Sequence, residues 1–286
     1  KKKDNKGRNY KLSIQIKSVK KGAELTSILW NGEEKLHDGK TQWNRHSPIL
    51  FPIVGRLKND CTQIEGQTYC MKQHGFARDL EFEIIEYTDN IQSYLLKSNE
   101  TTKEKYPYDF IINVTHIAKE NKVTTQYKVI NTDTRDIYFG IGAHPAYKIQ
   151  YEDCYLEFEK EETNILCYQL ENGLIAKQYK KQLINNRILE LGKNTFENDA
   201  IIIQNINSNK LSINKKGTNE KVLEFYFKNF PYLAIWSKPE APFLCLEPWY
   251  TTADKQNSNE EFIKKQGTIC LNPSQEFICE YSVSFL

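Results

Sequence analysis

The stretch FICEYSVSF, residues 277–285, shows the most regular pattern in the sequence. Alternate positions carry five apolar side chains, while Ile278, Glu280, Ser282 and Ser284 occupy the positions between them. The apolar set is Phe277, Cys279, Tyr281, Val283 and Phe285. A period of two places such a set on one face of an extended backbone. The stretch therefore predicts a strand that lies with one face against a core.

The same alternation recurs earlier in the chain and predicts many further strands. Phe110–His116 and Val123–Val129 alternate on either side of the polar segment Lys119–Lys122, which is typical of a β-hairpin. Gly66–Tyr69 is expected to be a turn that leads into a strand. The other predicted strands are Leu12–Ile16, Gln92–Lys97, Ile137–Ile141, Tyr155–Phe158, Ile201–Gln204, Lys210–Ile213, Val222–Phe227 and Leu233–Trp236.

Helical patterns are scarce in this chain. One short helix is predicted at Ser258–Lys265, with Ser258 as its N-cap and Glu260 and Glu261 in its first turn. No repeat of fixed period and no flexible linker divides the sequence. We therefore predict an all-β, mainly antiparallel fold in which two extended sheets form a sandwich. Residues 9–286 are expected to be a single domain, preceded by a basic, polar N-terminal segment at residues 1–8.

The composition of the 286 residues agrees with this fold class and narrows the function. The chain has 17 Tyr and 14 Phe but one Met, and aromatic residues favour strands. The 39 basic and 37 acidic residues give a net charge of +2, which argues against a nucleic acid partner. No run of about 18 apolar residues exists, so no transmembrane helix is expected. No apolar signal-peptide core follows Lys1–Arg8, and we expect a cytoplasmic protein.

Seven cysteines are spread along the sequence without any CxxC pair. They are Cys61, Cys70, Cys154, Cys167, Cys245, Cys270 and Cys279. Several lie in apolar, strand-like segments, which favours reduced and buried thiols over disulfides. A structural zinc site would need closer pairs of ligands.

Two early segments interrupt the apolar pattern with residues that can bind a ligand. In Ser47–Leu57, Arg56 follows an apolar run, and a partly buried arginine needs an anionic or hydrogen-bonding partner. That partner is equally well a structural carboxylate or a ligand. In Gln73–Arg78, His74 precedes a glycine that allows close approach, and Arg78 adds a fork of donors. A structural histidine and a functional one are about equally compatible with this pattern.

Two later segments each place a titratable residue before a proline. His144 precedes Pro145, and Glu247 ends an apolar strand before Pro248, with Trp249 next to it. Proline holds the preceding residue extended. A carboxylate is rarely buried unless it is paired or functional, and a carboxylate beside an indole is a common way to hold a sugar ring. An ion pair between Glu247 and one of the arginines is the alternative.

Together these segments resemble the aldose 1-epimerase (galactose mutarotase-like) superfamily, and most closely its LacX-like branch. The resemblance is carried by Phe51–Leu57, His74–Arg78, His144–Tyr147 and Leu246–Trp249, which occur in the expected order, and it extends over Leu12–Leu286. Trp43 also resembles the branch, whereas the stretch from Trp30 to Trp43 is longer than usual. The resemblance implies a supersandwich fold with a sugar site in a groove on one sheet.

The resemblance also implies residue roles. Glu247 matches the family's general base, His144 its general acid, and His74 a second histidine that positions the sugar. Arg56 matches the arginine that binds sugar oxygens, and Asp199 matches a hydroxyl-binding aspartate. The remaining substrate-binding candidates are Arg78, Trp249, Trp236 and Phe76, with Tyr147 as a further aromatic residue in the groove.

The implied reaction is the interconversion of α and β anomers of a free aldose by ring opening and closing. A carboxylate removes the O1 proton and a histidine protonates the ring oxygen, so no metal or other cofactor is expected. We expect a sugar as the small-molecule partner, no membrane or nucleic acid partner, and a monomer or homodimer. One alternative is a sugar-phosphate mutarotase in which Arg45, Arg56 and Arg78 bind the phosphate. Another alternative is a carbohydrate-binding protein on the same fold that has no activity.

Overall fold

Two large antiparallel sheets dominate the structure, a computed structural model that describes residues 2–3, 9–10, 14–258 and 261–286. The first sheet has nine strands. In spatial order they are Ile188–Glu190, Cys154–Phe158, Lys210–Lys215, Lys221–Tyr226, Glu276–Phe285, Lys122–Asn131, Phe110–Lys119, Ile91–Lys97 and Glu83–Tyr87. The strand that begins at Glu276 therefore lies at the centre of this sheet, which explains why its alternation is so regular.

The second sheet has eight strands and carries the groove described below. In spatial order seven of them are Leu174–Lys180, Leu166–Glu171, Ile201–Gln204, Tyr232–Trp236, Phe243–Trp249, Gly142–Ala143 and Ile49–Leu50. The eighth, Ala146–Lys148, also pairs with Phe243–Trp249. Two short strands on either side of His144 thus pair with one long strand.

The smaller elements lie around these two sheets. The additional strands are Ile14–Ser18, Leu25–Trp30 and Glu33–Glu34 in one sheet, Ile137–Phe139 with Ile269–Leu271, Cys61–Ile64 with Gln67–Cys70, and Lys2–Lys3 with Asn9–Tyr10. The helical elements are the α-helix Glu100–Lys103 and the 3₁₀ turns Lys58–Asp60, Ala77–Asp79, Tyr151–Asp153 and Phe262–Lys264. No helix among the described residues is long and apolar enough to cross a membrane.

Aromatic side chains fill the space between the two large sheets. Tyr147, next to the groove strand, lies with its ring centroid 6.0 Å from that of Phe225 on the nine-stranded sheet. Phe51 lies 5.1 Å from Phe110 in the same way. These rings are fully buried, and aromatic pairs at such distances contribute beyond the burial of their area. The aromatic residues that favoured strands in the sequence therefore form much of the core, and the prediction of a β-sandwich is confirmed.

Most of the predicted strands are present within a residue or two of their expected ends. The strand predicted at 277–285 is confirmed and begins one residue earlier, at Glu276. The hairpin is confirmed too, and its register joins Lys119 to Lys122. The predicted helix at Ser258–Lys265 was wrong in its extent, because the described part contains only the 3₁₀ turn Phe262–Lys264. Residues 259–260 of that prediction, residues 12–13 of the first predicted strand, and residue 1 and residues 4–8 lie outside the described residues.

The prediction that the cysteines are free thiols was wrong for one pair. Cys61 and Cys70 form a disulfide across the hairpin Cys61–Ile64 and Gln67–Cys70, where the register places them opposite each other. The hairpin turn brings two cysteines nine positions apart together, and no CxxC motif is needed for that. The free thiols in the described residues are Cys154, Cys167, Cys245, Cys270 and Cys279, of which Cys270 is exposed and the others are buried.

Candidate active site

A groove with a volume of about 390 Å³ lies on the face of the eight-stranded sheet that points away from the core. Along Phe243–Trp249, Leu244 and Leu246 belong to the core between the sheets, whereas Glu247 and Trp249 line the groove. The polar lining residues are Arg45, Gln73, His74, Arg78, His144, Asp199, Lys238 and Glu247, and the aromatic ones are Trp43, Trp236 and Trp249.

Strand pairing brings His144 and Glu247 together at the bottom of this groove. Gly142 pairs with Trp249 and Ala146 pairs with Cys245, so the register places His144 opposite Glu247. Side chains at opposed positions of antiparallel strands point to the same face with their Cβ atoms about 5 Å apart. His144 Nε2 lies 3.2 Å from Glu247 Oε2. Two residues more than 100 positions apart in sequence thus become direct neighbours.

Small residues make room for this pair and for the indole beside it. A Cβ atom on Gly142 would lie 2.8 Å from the Trp249 ring and 3.2 Å from the Pro248 carbonyl oxygen. Any side chain there would displace the indole that covers the groove. On the other neighbouring strand, Ala234 pairs with Glu247 and leaves the space beside the carboxylate open.

A sharply bent loop places His74 on the opposite side of the groove. His74 has a φ of 68°, and the next residue, Gly75, has a φ of 73°. A Cβ atom on Gly75 would lie 2.2 Å from the Phe51 carbonyl oxygen, so only glycine fits there. The Gly55 N–H donates to His74 Nδ1 over 3.1 Å, which leaves the ring proton on Nε2. The rings of His74 and His144 are perpendicular, with centroids 5.6 Å apart.

Several polar atoms of the groove are buried with no hydrogen-bond partner in the described part of the chain. They are Arg78 Nε, His144 Nδ1, Glu247 Oε2 and Trp249 Nε1. The contact of Glu247 Oε2 with His144 therefore lacks the alignment of a hydrogen bond. Buried polar groups are nearly always paired, and leaving one unpaired costs about 1–3 kcal/mol. A cluster of such atoms in one groove indicates that a polar ligand completes the pairing.

Burial governs the protonation of the titratable groups in the groove. It raises the pKa of Glu247 well above its usual value, and the negative charge of Asp199 adds to the increase. Burial lowers the pKa of His144 to about 3, with a further contribution from the Arg78 charge. The pKa of His74 falls well below its usual value for the same reasons, burial first and then His144 and Arg78. Both histidines are therefore neutral at pH 7 before a ligand binds.

Cationic groups surround one end of the groove. Arg45 pairs with Asp79 at 2.9 Å, and Arg78 Nη2 donates to the Gln73 carbonyl oxygen over 2.6 Å. Burial and the neighbouring Arg45 lower the pKa of Arg78 to about 10, and the side chain stays charged at neutral pH. Lys238, after the strand Tyr232–Trp236, also lines the groove. This end of the groove is suited to oxygen-rich or anionic ligands.

Three of the residues predicted to bind the substrate are elsewhere. Arg56 points away from the groove, where it makes two hydrogen bonds to Asp60 of 2.8 and 3.0 Å and one to the Asn172 carbonyl oxygen. This is the structural alternative considered for it. Phe76 packs in the core against Phe51, and Tyr147 packs against the nine-stranded sheet. Tyr147 faces inward because it alternates with groove-side residues along its strand, whereas Phe76 faces inward because the backbone turns at His74 and Gly75.

The other predicted residues do lie in the groove, and the structure adds further ones. His74, His144, Glu247, Asp199, Arg78, Trp236 and Trp249 all line it. Gln73 and Lys238 were not predicted, because neither stands out from ordinary surface residues in sequence. From sequence, Trp43 was identified only as a residue that resembles the LacX-like branch. Arg45 was identified only as a phosphate ligand in the alternative function. Their positions, four and two residues before Ser47, are the sequence feature that could have identified them as groove residues.

One group of side chains in the groove has the spacing of a metal site. Among the described residues, His144, Cys245 and Glu247 each offer a ligand atom, and these atoms lie within 4.8 Å of one another. Burial, with the Glu247 charge as a second cause, raises the pKa of the Cys245 thiol well above its usual value. Cys245 is fully buried and does not belong to the groove lining, whereas His144 and Glu247 do. The groove therefore presents these two side chains to a ligand as an acid–base pair.

Comparisons with known proteins agree with this geometry. A sequence profile of the family described as aldose 1-epimerase matches residues 9–267. The plasmid and chromosomal forms of Protein LacX from Lactococcus lactis subsp. lactis are each 32% identical to this chain over 265 residues, covering 85% of it and 86% of the relative.

Solved structures of two proteins from lactobacilli are similar to this chain over nearly its whole length. A galactose mutarotase related enzyme from Lactobacillus acidophilus has a TM-score of 0.89 at 28% identity, covering 97% of this chain and 96% of its own. A galactose mutarotase-like protein from Lactobacillus casei also has a TM-score of 0.89, at 25% identity and with 98% of each chain covered. On the family match and the relatives together, the chain belongs to the aldose 1-epimerase family.

Proposed function

We propose that this protein is an isomerase that interconverts the α and β anomers of a free aldose. The observation that carries the proposal is the opposed pair of Glu247 and His144, 3.2 Å apart at the bottom of a groove lined with unpaired polar atoms. Anomer exchange needs a base at O1 and an acid at the ring oxygen, and both oxygens are bonded to the same carbon, C1. An acid and a base in direct contact can therefore reach both of them.

The proposed reaction uses one proton held by the pair. Glu247 takes the O1 proton while His144 donates a proton to the ring oxygen, and the bond between C1 and the ring oxygen breaks. The product is an open-chain aldehyde, which rotates about its C1–C2 bond. The ring then closes on the other face of C1, with His144 taking the proton back and Glu247 returning one to O1. Neither group is consumed.

The pKa directions of the pair fit this proton balance. Because burial raises the pKa of Glu247 well above its usual value and lowers that of His144 to about 3, a single proton on the pair resides on Glu247 before a ligand binds. With this proton on Glu247, both groups are neutral. With it on His144, the pair consists of a carboxylate and an imidazolium, which is the reactive form. The two groups lie 3.2 Å apart, and a small rotation of either side chain would align them for proton transfer.

The remaining groove residues support a role in binding the sugar. The neutral imidazole of His74 carries its proton on Nε2. It can therefore donate a hydrogen bond to a sugar oxygen without transferring the proton. Trp249 and Trp236 offer apolar ring surface for C–H groups, and Asp199 offers a carboxylate for hydroxyl protons. These are the two kinds of contact that recognition of a sugar requires.

One observation favours a second candidate, a sugar phosphate as substrate. Arg45, Arg78 and Lys238 all line the groove, and cations in its lining would suit a phosphate. The Asp79 carboxylate offsets Arg45, and Asp199 lines the same groove. We therefore place the free aldose first and the sugar phosphate second.

Anomer exchange measured by NMR tests the proposal directly. Freshly dissolved α-glucose, α-galactose and α-glucose 6-phosphate are each compared with and without protein. We expect faster exchange of at least one sugar, and Glu247→Gln should lower kcat by about 10²–10⁴-fold because the base is lost. Glu280→Gln is the matched control, since Glu280 is exposed on the strand Glu276–Phe285. Sugar binding without any faster exchange would show that this is a binding protein.

A further inference from the structure

The imidazole of His144 is held mainly by aromatic rings. The indole of Trp43 stacks on it with a centroid distance of 4.7 Å and an interplanar angle of 27°. Trp236 contacts it at 5.7 Å and 83°. A histidine that transfers protons usually has its second ring nitrogen hydrogen-bonded to a carboxylate or carbonyl, which fixes the ring orientation. His144 Nδ1 has no such partner among the described residues.

We propose that Trp43 is a positioning residue for His144, whose indole face fixes the imidazole plane and stabilises the imidazolium formed during turnover. This inference rests on the proposed function, in which His144 is the acid. The face of an indole attracts a cation, and among aromatic side chains tryptophan does so most strongly. In other histidines that transfer protons, a hydrogen bond to Nδ1 orients the ring and stabilises its positive charge. Stacking on Trp43 would do both for His144.

Trp43 itself is firmly placed. Its carbonyl oxygen accepts a hydrogen bond of 2.8 Å from His37 Nε2. Phe243 stacks on its indole with a centroid distance of 5.9 Å and an interplanar angle of 25°. The following residues are anchored too, because the N–H groups of His46 and Ser47 both donate to Glu24 Oε1, over 2.6 and 3.0 Å. A side chain held at its backbone and along its ring can set the orientation of a neighbour.

The charges around His144 explain why such support matters. Arg78 and Arg45 disfavour a positive imidazole, and burial disfavours it more strongly. His74, whose ring is perpendicular, is neutral, and the buried thiol of Cys245 is neutral as well. Glu247 is the group whose negative charge favours the imidazolium. The Trp43 indole, stacked with its centroid 4.7 Å from that of the imidazole, adds a second favourable interaction from the face of the ring.

A different role for Trp43 would be that of a surface on which the sugar lies. In that case changes at position 43 would weaken substrate binding and raise KM, with a smaller effect on kcat. A positioning residue acts on the acid, and its loss lowers kcat with a smaller effect on KM. The two roles therefore differ in a measurable way.

The test replaces Trp43 by tryptophans that carry one, two or three fluorines on the indole ring. Fluorine withdraws charge from the ring face while the shape of the side chain is nearly preserved, so the contact survives and its attraction for a cation declines. We expect log kcat for anomer exchange to fall steadily with each fluorine, by about two- to thirtyfold over the series, and KM to change less. The same fluorinated residues at Trp30 are the control, because Trp30 is buried outside the groove.

The conventional variants Trp43→Phe and Trp43→Leu extend the series. We expect kcat to decrease in the order Trp, Phe, Leu, because phenylalanine keeps an aromatic face and leucine does not. A flat fluorine series in an active protein, or one that raises KM alone, overturns the role of Trp43 and leaves the proposed function intact. A wild-type protein that does not accelerate anomer exchange overturns both.

Discussion

Two buried histidines, His116 in the nine-stranded sheet and His144 in the groove, show how differently the same residue is used. Their side chains are almost equally inaccessible, and burial lowers the pKa of His116 to about 4 and that of His144 to about 3. Thr125 Oγ1 lies 2.9 Å from Nδ1 of His116, whose Nε2 donates to the Ala23 carbonyl oxygen over 2.8 Å. His144 has an unpaired Nδ1 and a carboxyl oxygen beside Nε2.

The buried carboxylates show the same contrast. The two oxygens of Glu162 accept the N–H groups of Asn207 and Ser208, each over 2.8 Å. Glu247 is equally buried but has an oxygen without a hydrogen-bond partner among the described residues. Burial therefore does not separate a functional carboxylate from a structural one here, and for the histidines a lowered pKa does not do so either. The separation comes from the hydrogen bonds that the protein leaves unmade.

The largest expected effect is on activity at His144. His144→Asn removes the acid, and we expect kcat for anomer exchange to fall by about 10²–10⁴-fold. The free energy of unfolding should hardly decrease, because the imidazole makes few hydrogen bonds that the fold needs. Exchange spectroscopy and denaturant unfolding of the same variant measure the two quantities. Full activity in His144→Asn would remove the distinction between the two histidines.

At His116 the expected loss is in stability. His116→Ala leaves the Thr125 hydroxyl and the Ala23 carbonyl oxygen without their buried partner, and the free energy of unfolding should fall by about 2–4 kcal/mol. The kcat of the folded fraction should stay within about twofold of the wild type, because His116 does not line the groove. His116→Gln, which can donate and accept, should recover part of the stability. A large loss of kcat with unchanged unfolding would contradict this assignment.

The smallest effect is on the pH dependence of stability, where the two histidines should behave alike. Because the pKa of folded His116 is about 4 and that of an exposed histidine about 6.5, the unfolded chain binds more protons between these values. The contribution of His116 to the free energy of unfolding is therefore lost as pH falls from about 6.5 to 4. His144 acts in the same direction, and Glu247, with its raised pKa, acts in the opposite one.

Comparing variants isolates one histidine from these opposing contributions. The wild-type unfolding free energy should decline toward acid more steeply than that of His116→Gln, by at most about 1.4 kcal/mol per pH unit. Urea denaturation at a series of pH values between 4 and 7 provides the measurement. Parallel curves for the two proteins would mean that His116 does not stay neutral when folded.

Much of the fold could be predicted from sequence because two-residue alternation survives wherever one face of a strand is buried. The strand predicted at 277–285 is central to its sheet, and its predicted bounds differ from the observed ones by one residue, Glu276. His144 and Glu247 could be identified as candidates, because each is a titratable residue in an apolar segment directly before a proline. That the two side chains meet could not be predicted. Their contact depends on the pairing of two short strands with one long strand, and local sequence does not encode such long-range register.

The misplaced residues have a common physical cause. Arg56 and Phe76 lie within two or three residues of groove positions, and a backbone turn decides which side chain faces the groove. His74 reaches the groove only through its unusual φ, while Phe76, two residues later, turns into the core. The Cys61–Cys70 pair likewise depends on the register of a hairpin. Tertiary structure, and not local sequence, decides which side of the sheet or hairpin such a side chain faces.

The groove takes some of its residues from paired strands and others from the segments around them, and this affects how it could acquire new substrates. His144 and Glu247 are held by paired strands, whereas Trp43, Arg45, Arg78 and Lys238 reach the groove from segments outside those strands. Under the proposed function, exchanging Arg45, Arg78 or Lys238 does not require moving the atoms that transfer protons, whereas Trp43, which positions His144, has to be kept. Such a groove can then be altered to accept other sugars, in evolution or in the laboratory, while the pair of His144 and Glu247 is retained.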